Sequence, residues 1–188
     1  MESDRDPSDR NRVVETEAAL WAPPQDARGG GEPAALQALK TVPLFDGLTR
    51  PQLRKLLRVL HERVYERDEI IFREGRLGAG MYVIRTGTVR IVLTLPSGED
   101  RLVAELGPGH FFGEMALLEE APRSATCVAN ERTELLGFFQ PDLDGLIERD
   151  SRLGSRVLWN LARLLASRVR IMNESLKAER SRGPEPTE

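Results

Sequence analysis

Between residues 64 and 139, short hydrophobic runs alternate with glycine turns, and this pattern constrains the fold more than any other feature of the chain. The runs cover residues 70–72, 81–85, 89–93, 102–106, 125–129 and 135–139. Turn residues separate them, at Gly75, Gly78, Gly80, Gly87, Gly98 and the segment Gly107-Pro108-Gly109. Regularly spaced short strands with such turns are typical of a small β-barrel or β-sandwich.

Hydrophobic residues at helical spacing flank this β region on both sides. Upstream they are leucines, at Leu36, Leu39, Leu53, Leu56, Leu57 and Leu60. Downstream of Pro141 the helical spacing returns, and residues 151–178 contain few helix breakers. We therefore expect a mainly β domain with flanking helices over 36–150, followed by a long C-terminal helix over 151–178.

The first 33 residues differ in composition from the rest of the chain. They contain eight acidic residues, four arginines and four prolines, a net charge of −4 within a total of −3. Low hydrophobicity with excess charge predicts disorder for 1–33, and the charged, Gly- and Pro-containing segment 179–188 is similar. Val13-Val14 and Leu20-Trp21 interrupt the polar pattern. They are either a short docking helix or an incidental part of a passive tail.

Composition excludes several functional classes. One cysteine and two histidines among 188 residues do not supply a disulfide scaffold or a typical zinc site, so we expect no metal. No apolar run approaches the ~20 residues of a membrane span, and the polar N-terminus has no signal-peptide core. A net charge of −3 does not favour direct nucleic-acid binding. These features predict a cytoplasmic protein.

One segment inside the β region does not fit a strand and carries the chemistry of an anion site. Gly113 is followed by strong helix formers, Pro122 ends that helical stretch, and Arg123-Ser124 begins the next strand. The first turn of a short helix presents free N–H groups to an anion, and small residues such as Gly113 and Ala116 allow close approach. Arg123 adds a planar cation that matches phosphate oxygens, and Ser124 adds a hydroxyl.

Glu114 is the unexpected residue in this segment, because a carboxylate repels a phosphate unless it has another task. Accepting a hydrogen bond from a sugar hydroxyl is such a task. The pattern therefore points to a nucleotide rather than to inorganic phosphate.

The segment closely resembles the phosphate-binding cassette of the cyclic nucleotide-binding domain family. The resemblance is carried by Phe112-Gly113-Glu114-x-Ala116-Leu117-Leu118 and Pro122-Arg123-Ser124-Ala125-Thr126. It extends upstream to Val42-Pro43-Leu44-Phe45-x-Gly47-Leu48, Ile71-Phe72-Arg73-Glu74-Gly75 and Met81-Tyr82-Val83-Ile84-x-x-Gly87-x-Val89. In all it covers about residues 36–178.

The resemblance implies a fold and a ligand. The fold is an eight-stranded double-stranded β-helix, a jelly-roll-like β-roll, with a short phosphate-binding helix, and the ligand is cAMP or cGMP. Arg123 would hold the phosphate, with Ser124 and backbone amides near Gly113, Met115, Ala116 and Ala125. Glu114 would accept from the ribose 2′-hydroxyl. Ile91, Val103 and Leu106 would form an apolar wall, a role compatible with plain barrel core.

Three residues depart from the family pattern. Asp68 replaces a turn glycine, and Ala79 replaces a commonly acidic residue, so a loop hydrogen bond is missing. Ser124 follows the arginine, where relatives often have Ala for cAMP or Thr for cGMP. The hydroxyl of Ser124 is compatible with either cyclic nucleotide, so the identity of the base stays open, with cAMP favoured over cGMP.

The C-terminal helix has several faces. Val157, Leu161 and Leu164 share a stripe that would pack against the roll. A second series, which we call the seam, has a/d spacing and consists of Leu158, Ala162, Leu165, Val169, Met172 and Leu176. The seam predicts either a homodimer or one side of a single broad apolar face. The basic Arg163, Arg168 and Arg170 are usually solvated, although Arg168 or Asn173 would be placed to close over the base as a lid.

Ten residues follow Ala178, too few for a helix-turn-helix. We therefore expect a regulatory sensor that relays ligand occupancy through the C-terminal helix to a homodimer or to an unidentified partner. The alternative is a ligand-free β-roll that acts as an interaction scaffold. Catalysis on a cupin-like barrel is disfavoured, because His61 and His110 are read as helix-end and loop residues and Cys127 as a buried inert thiol.

Overall fold

The structure of the chain is a computed structural model that describes residues 34–119 and 121–181. The predictions for residues 1–33 and 182–188 lie outside the described residues. These described residues form the α-helices α1 Ala34–Thr41, α2 Arg50–Leu57, α3 Gln140–Arg149 and α4 Ser151–Ser181. They also form 3₁₀ helices at Pro43–Phe45 and Glu114–Leu117. The strands are β1 His61–Tyr65, β2 Ile70–Phe72, β3 Gly80–Thr86, β4 Val89–Thr94, β5 Asp100–Leu106, β6 Phe111–Phe112, β7 Thr126–Ala129 and β8 Thr133–Phe139.

The strands form two antiparallel four-stranded sheets. Their strand orders are β1-β8-β3-β6 and β2-β7-β4-β5. Connections that cross between the sheets close them into an eight-stranded β-roll. The predicted fold class, mainly β with flanking helices, is confirmed.

Two strands were not among the six predicted runs. In β1 only Val64 and Tyr65 are apolar, and β6 has two residues, so neither shows a clear alternation. The reading of His61 as a helix-end residue is wrong: it lies in β1, opposite Gly137 of β8. Its Nε2 lies 3.1 Å from Oδ2 of Asp142, at the start of α3.

Two hydrophobic clusters divide the molecule. One fills the interior of the roll, with the aromatic residues Tyr82, Phe112 and Phe139 at its centre. The other lies between the roll and the helices, and joins leucines of α1 and α2 to the first half of α4. The roll therefore has one side wall made by helices, and α4 is part of it.

The first half of α4 is fixed to the body. In the predicted stripe, Val157 and Leu161 are fully buried and Leu164 is partly buried, and the neighbouring Leu153 is fully buried as well. Asn160 donates from Nδ2 to the carbonyl oxygens of Leu44 and Asp46, each at 2.9 Å. The helix continues to Ser181, so the predicted end at 178 is wrong, and residues 179–181 of the expected tail are helical.

Asp68 occupies the tight turn between β1 and β2 with a φ of +63°. This left-handed conformation is the one that a glycine would adopt without strain. The backbone N–H of Asp68 donates to the carbonyl of Ala129 at 2.8 Å, and its carboxylate accepts from Arg90 at 2.6 Å. Asp68 is therefore a turn variant, as predicted.

Candidate functional site

The cassette segment is a tight turn between β6 and β7. Gly113 adopts a φ of +76°, and a single 3₁₀ turn, Glu114–Leu117, follows. Of the one or two helical turns predicted here, one is present. The N–H of Ala116 closes the turn on the carbonyl of Gly113 at 3.2 Å. A four-residue 3₁₀ turn has little helix dipole, so its attraction for an anion depends on individual N–H groups.

Arg123 is buried against this turn, with 6% of its surface exposed. Its Nη1 donates to the carbonyl oxygens of Gly80 at 2.8 Å and Gly113 at 3.1 Å. Its Nη2 donates to the hydroxyl of Tyr82 at 3.2 Å, and the guanidinium lies 4.1 Å from the ring centroid of Phe72. These contacts fix the planar fork in one orientation, which is a requirement for binding an anion at two points.

Two glycines make room for this guanidinium. A Cβ on Gly113 would lie 2.6 Å from Nη1 of Arg123, and a Cβ on Gly78 would contact its Nε and Cζ. A glycine at position 113 therefore leaves space for the guanidinium of Arg123 and also permits the left-handed backbone conformation. Its small size, which was expected to allow the close approach of an anion, also leaves space for Nη1 of Arg123.

A cavity of about 610 Å³ opens beside the turn. This volume lies within the range of about 300–1,000 Å³ that is typical of small-molecule sites. Most of the residues named from the sequence line it together: Ile91, Leu106, Gly113, Glu114, Met115, Ala116, Arg123, Ser124, Ala125 and Arg168. Two elements of the roll, the cassette turn and one helix thus converge on a single hollow.

Two of the named residues do not line the cavity. Val103 is 53% exposed, so its prediction as part of the apolar wall is wrong. Side chains alternate along a strand, and Val103 is three positions from Leu106, so the two face opposite sides of β5. Asn173 is exposed and lies outside the cavity lining, so its role as a lid over a bound base stays a prediction. Five residues of helix rotate it by about 140° from Arg168.

Glu114 forms an ion pair with Arg168 of α4. The side chain of Glu114 is 4% exposed and that of Arg168 is 50% exposed. Nη1 of Arg168 donates to Oε1 of Glu114, and the guanidinium lies 5.5 Å from the ring centroid of Phe111. The carboxylate that we assign to a sugar hydroxyl therefore also holds the C-terminal helix.

The sequence analysis missed the aromatic support of Arg123. Phe72, Tyr82 and Phe112 lie with ring centroids 5.4 to 5.8 Å apart. Their positions within apolar runs indicated only that they are core residues. Phe72 and Tyr82 lie 51 and 41 residues before Arg123, so no local pattern signals their contact with it.

Two residues with predicted inert roles also line the cavity. His110, which was read as a loop residue, lies in a loop but forms part of the cavity wall. Cys127 is buried, as predicted, and lines the cavity. Burial raises the pKa of its thiol to about 12, although the nearby charge of Arg123 lowers it. The thiol is therefore neutral near pH 7.

The described residues provide neither a metal-binding cluster nor a membrane-spanning helix. Within residues 34–119 and 121–181, no three His, Cys, Asp or Glu side chains cluster in a way that would bind a metal ion. In the same part of the chain, no helix has the length and apolar character needed to cross a bilayer.

The roll, the buried arginine and the cavity define a small-molecule binding domain of the β-roll class. The family model of the cyclic nucleotide-binding domain matches residues 62–150. A cyclic nucleotide-binding-like protein from Brucella abortus has 30% identity and a TM-score of 0.56, over 62% of this chain and 99% of that chain. The chain therefore belongs to the cyclic nucleotide-binding domain family, which confirms the resemblance drawn from the cassette.

Proteins of Thermus thermophilus provide two further comparisons. Its cyclic AMP receptor protein is 43% identical over 132 residues, which are 70% of this chain and 59% of that protein. The crystal structure of its catabolite activator protein has 42% identity and a TM-score of 0.67, over 72% of this chain and 62% of that chain. This chain thus spans about three fifths of the length of these relatives.

Proposed function

We propose that this protein is a cyclic nucleotide sensor that binds cAMP in the cavity beside Arg123 and relays occupancy through α4. The observation that carries the proposal is that Arg123 and Glu114, a buried cation and a buried carboxylate, line one cavity with α4 at its edge. The proposal describes a binding module rather than an enzyme.

The phosphate end of the proposed site is built around Arg123. Its contacts to Gly80, Gly113 and Tyr82 hold the guanidinium in place before ligand arrives, so little side-chain entropy remains to be lost on binding. Ser124 is exposed to the cavity and supplies a hydroxyl beside it. A cyclic phosphodiester has one negative charge, which one guanidinium compensates.

The ribose end is built around Glu114. A carboxylate has about four acceptor positions, and Arg168 uses Oε1. No hydrogen bond to Oε2 is found from the described residues, so this oxygen is the one we assign to the ribose 2′-hydroxyl. In this arrangement the same side chain contacts the ligand and the helix, and ligand binding changes the environment of Arg168.

The preference for cAMP rests on similarity, and cGMP is the second candidate. The cyclic AMP receptor protein of Thermus thermophilus is the relative with 43% identity, and its name specifies cAMP. Ser124 supplies a hydroxyl that a guanine base would also use. The ratio of the two affinities is therefore a direct measurement of specificity.

Isothermal titration with cAMP and cGMP tests the site. A charge-assisted hydrogen bond contributes about 1.5–3 kcal/mol, so Arg123→Ala should weaken binding by about 10- to 150-fold. Arg123→Lys should weaken it as well, because the planar fork is lost. Arg101→Ala, an exposed arginine of β5 outside the cavity, is the matched control. Unchanged affinity in both Arg123 variants, with native circular dichroism, would refute the assignment.

The alternative is a β-roll that binds no nucleotide and serves as an interaction scaffold. A thermal-shift screen with cAMP, cGMP and cyclic dinucleotides distinguishes the two functions, because a ligand that binds only the folded state raises its melting temperature. No shift with any of them would favour the scaffold.

We further propose that α4 relays the signal through a homodimer. The seam is not covered within one chain: Val169 is 56% exposed and Met172 is 64% exposed, while Leu158 and Leu165 are partly buried. The side chain of Leu176 lies outside the described set. Light scattering should give a dimer mass for the wild-type chain and a monomer mass for Val169→Asp. If the wild-type chain is a monomer, the homodimer is excluded, and an unidentified partner protein would bind the seam instead.

A further inference from the structure

One face of α4 carries a basic surface that the proposed site does not use. It consists of Arg152, Arg156, Arg163 and Arg170, with Trp159 between them, at intervals of three, four and seven residues. We call this surface the arginine face. Such intervals place side chains on one side of a helix, and all five residues are exposed, Trp159 at 64%. From Ser151 to Asn173, before Glu174, α4 contains no acidic residue.

The arginine face is separate from the other two faces of α4. At about 100° per residue, its centre lies roughly 140° from the buried stripe of Leu153, Val157 and Leu161. It lies about 120° from the centre of the seam, and Arg168 points to the cavity side instead. An occupant of the arginine face therefore leaves both the cavity and the seam accessible.

The charge of the arginine face is not neutralised within the described part of the chain. No carboxylate there forms an ion pair with Arg156, Arg163 or Arg170, and Asp150 lies near enough to Arg152 only to be influenced by its charge. A large exposed Trp among arginines has the composition of an interaction hot spot, since Trp and Arg are enriched at the centres of protein interfaces. A shallow groove lined by Ser151, Arg152, Ser155, Arg156 and Trp159 marks its N-terminal end.

We propose that the acidic N-terminal segment of this chain, residues 1–33, docks on the arginine face. Its net charge of −4 matches the four arginines, and its segment Glu15-Thr16-Glu17-Ala18-Ala19-Leu20-Trp21 joins two carboxylates to an apolar group. This is the chemistry that an arginine surface with a central Trp would recognise.

The place where the segment enters the structure supports this assignment. It joins α1 at Ala34, and both α1 and α4 pack against the 3₁₀ helix Pro43–Phe45. A linker of twelve residues, the number between Trp21 and Ala34, has an end-to-end distance of roughly 20 Å at random-coil dimensions. Tethering at this range gives an effective concentration on the order of millimolar, so a weak interaction is sufficient to populate the docked state.

The two tryptophans of the chain, Trp21 and Trp159, provide a direct test in the full-length protein. In Trp21→Phe, the emission reports on Trp159 alone, and acrylamide quenching measures its accessibility. Docking predicts that Glu15→Gln/Glu17→Gln in this background raises the quenching constant about twofold. Sodium chloride at 1 M should raise it to the same level, because it reduces the Debye length to about 3 Å.

Glu99→Gln/Asp100→Asn is the matched control, since it removes the same charge from the β4–β5 hairpin and should leave quenching unchanged. Equal quenching in all three proteins, at low salt and in 1 M sodium chloride, would overturn the proposal. Protection that disappears on dilution would also overturn it, in favour of the segment of a second copy. If duplex DNA protected Trp159 equally with and without the two glutamates, the arginine face would be open to an external polyanion, and the proposal would again fail.

Discussion

Removal of the ion pair between Glu114 and Arg168 tests whether the cassette turn holds the C-terminal half of α4. The ion pair joins the cassette turn to α4 across 54 residues of sequence. Beyond Leu165, the described side chains of α4 are exposed, so Arg168 attaches a part of the helix that has little other packing. The perturbation we choose is a double-mutant cycle with Glu114→Gln, Arg168→Gln and both together.

The expected magnitude follows from the exposure of the two groups. Two unit charges about 4 Å apart attract by about 4 kcal/mol at an effective dielectric constant of ~20. Arg168 is half exposed, which screens this attraction, and the burial of Glu114 costs desolvation energy. We therefore expect a coupling of about 1–2 kcal/mol in the free energy of unfolding. The cycle removes the separate contribution of Arg168 stacking on Phe111, because both arms lose it.

Urea denaturation of the four proteins, followed by circular dichroism, measures this coupling. Arg101→Gln is the matched control, since Arg101 is an exposed arginine of β5 outside the cavity and outside the arginine face. It should change the free energy of unfolding by less than about 0.5 kcal/mol. A coupling below about 0.3 kcal/mol would mean that the two residues act independently, and it would refute the idea that Glu114 holds α4.

Three further predictions concern stability and reactivity. Burial raises the pKa of the Cys127 thiol to about 12 in the folded chain, whereas its ordinary pKa is 9.0. The thiol of the unfolded chain therefore ionises first, and the stability of the wild type relative to Cys127→Ala should fall by about 1.4 kcal/mol per pH unit above about pH 9. Equal pH profiles of the two proteins in chemical denaturation would contradict this. A hydrogen bond from Lys55 lowers the pKa of Asp150, which also caps the N-terminus of α4 by accepting from the N–H of Leu153. Asp150→Ala should lower the thermal midpoint at pH 7 more than Asp150→Asn, because Asn keeps the capping oxygen. Equal midpoints of the two variants in calorimetry would show that the cap does not stabilise the protein. Gly113→Ala should destabilise by about 1–3 kcal/mol, and by more than Gly98→Ala, since both have positive φ but only Gly113 faces a guanidinium.

The fold was predictable where the hydrophobic pattern is local. Six of the eight strands follow from alternating runs with glycine turns, and the buried stripe of α4 follows from its spacing. β1 was not predictable, because its sequence His-Glu-Arg-Val-Tyr is mostly polar and is stabilised by pairing with β8. β6, with two residues, is too short for any periodic signal.

The site was predictable as a set of residue types but not as a geometry. The cassette motif identified Arg123 and Glu114, because phosphate and sugar recognition require a cation and an acceptor close in sequence. Their partners Tyr82 and Arg168 are 41 and 54 residues away, and local patterns contain no information about such contacts. Val103 failed for a different reason: it lies three positions from Leu106 and therefore faces the opposite side of β5, an alternation that the family resemblance did not take into account.

The shared use of Glu114 has a thermodynamic consequence if the proposed sensor is correct. When a ligand and a helix contact the same carboxylate, the free energy of one depends on the state of the other, and the dependence is reciprocal. The factor by which cAMP stabilises the attached helix must equal the factor by which attachment strengthens cAMP binding. Arg168→Gln should therefore change cAMP affinity and the hydrogen-exchange protection of the α4 segment around Arg168 in the same direction. If affinity changed while the protection of α4 with and without cAMP stayed the same, Arg168 would be a ligand contact alone, and the relay would have to follow another route.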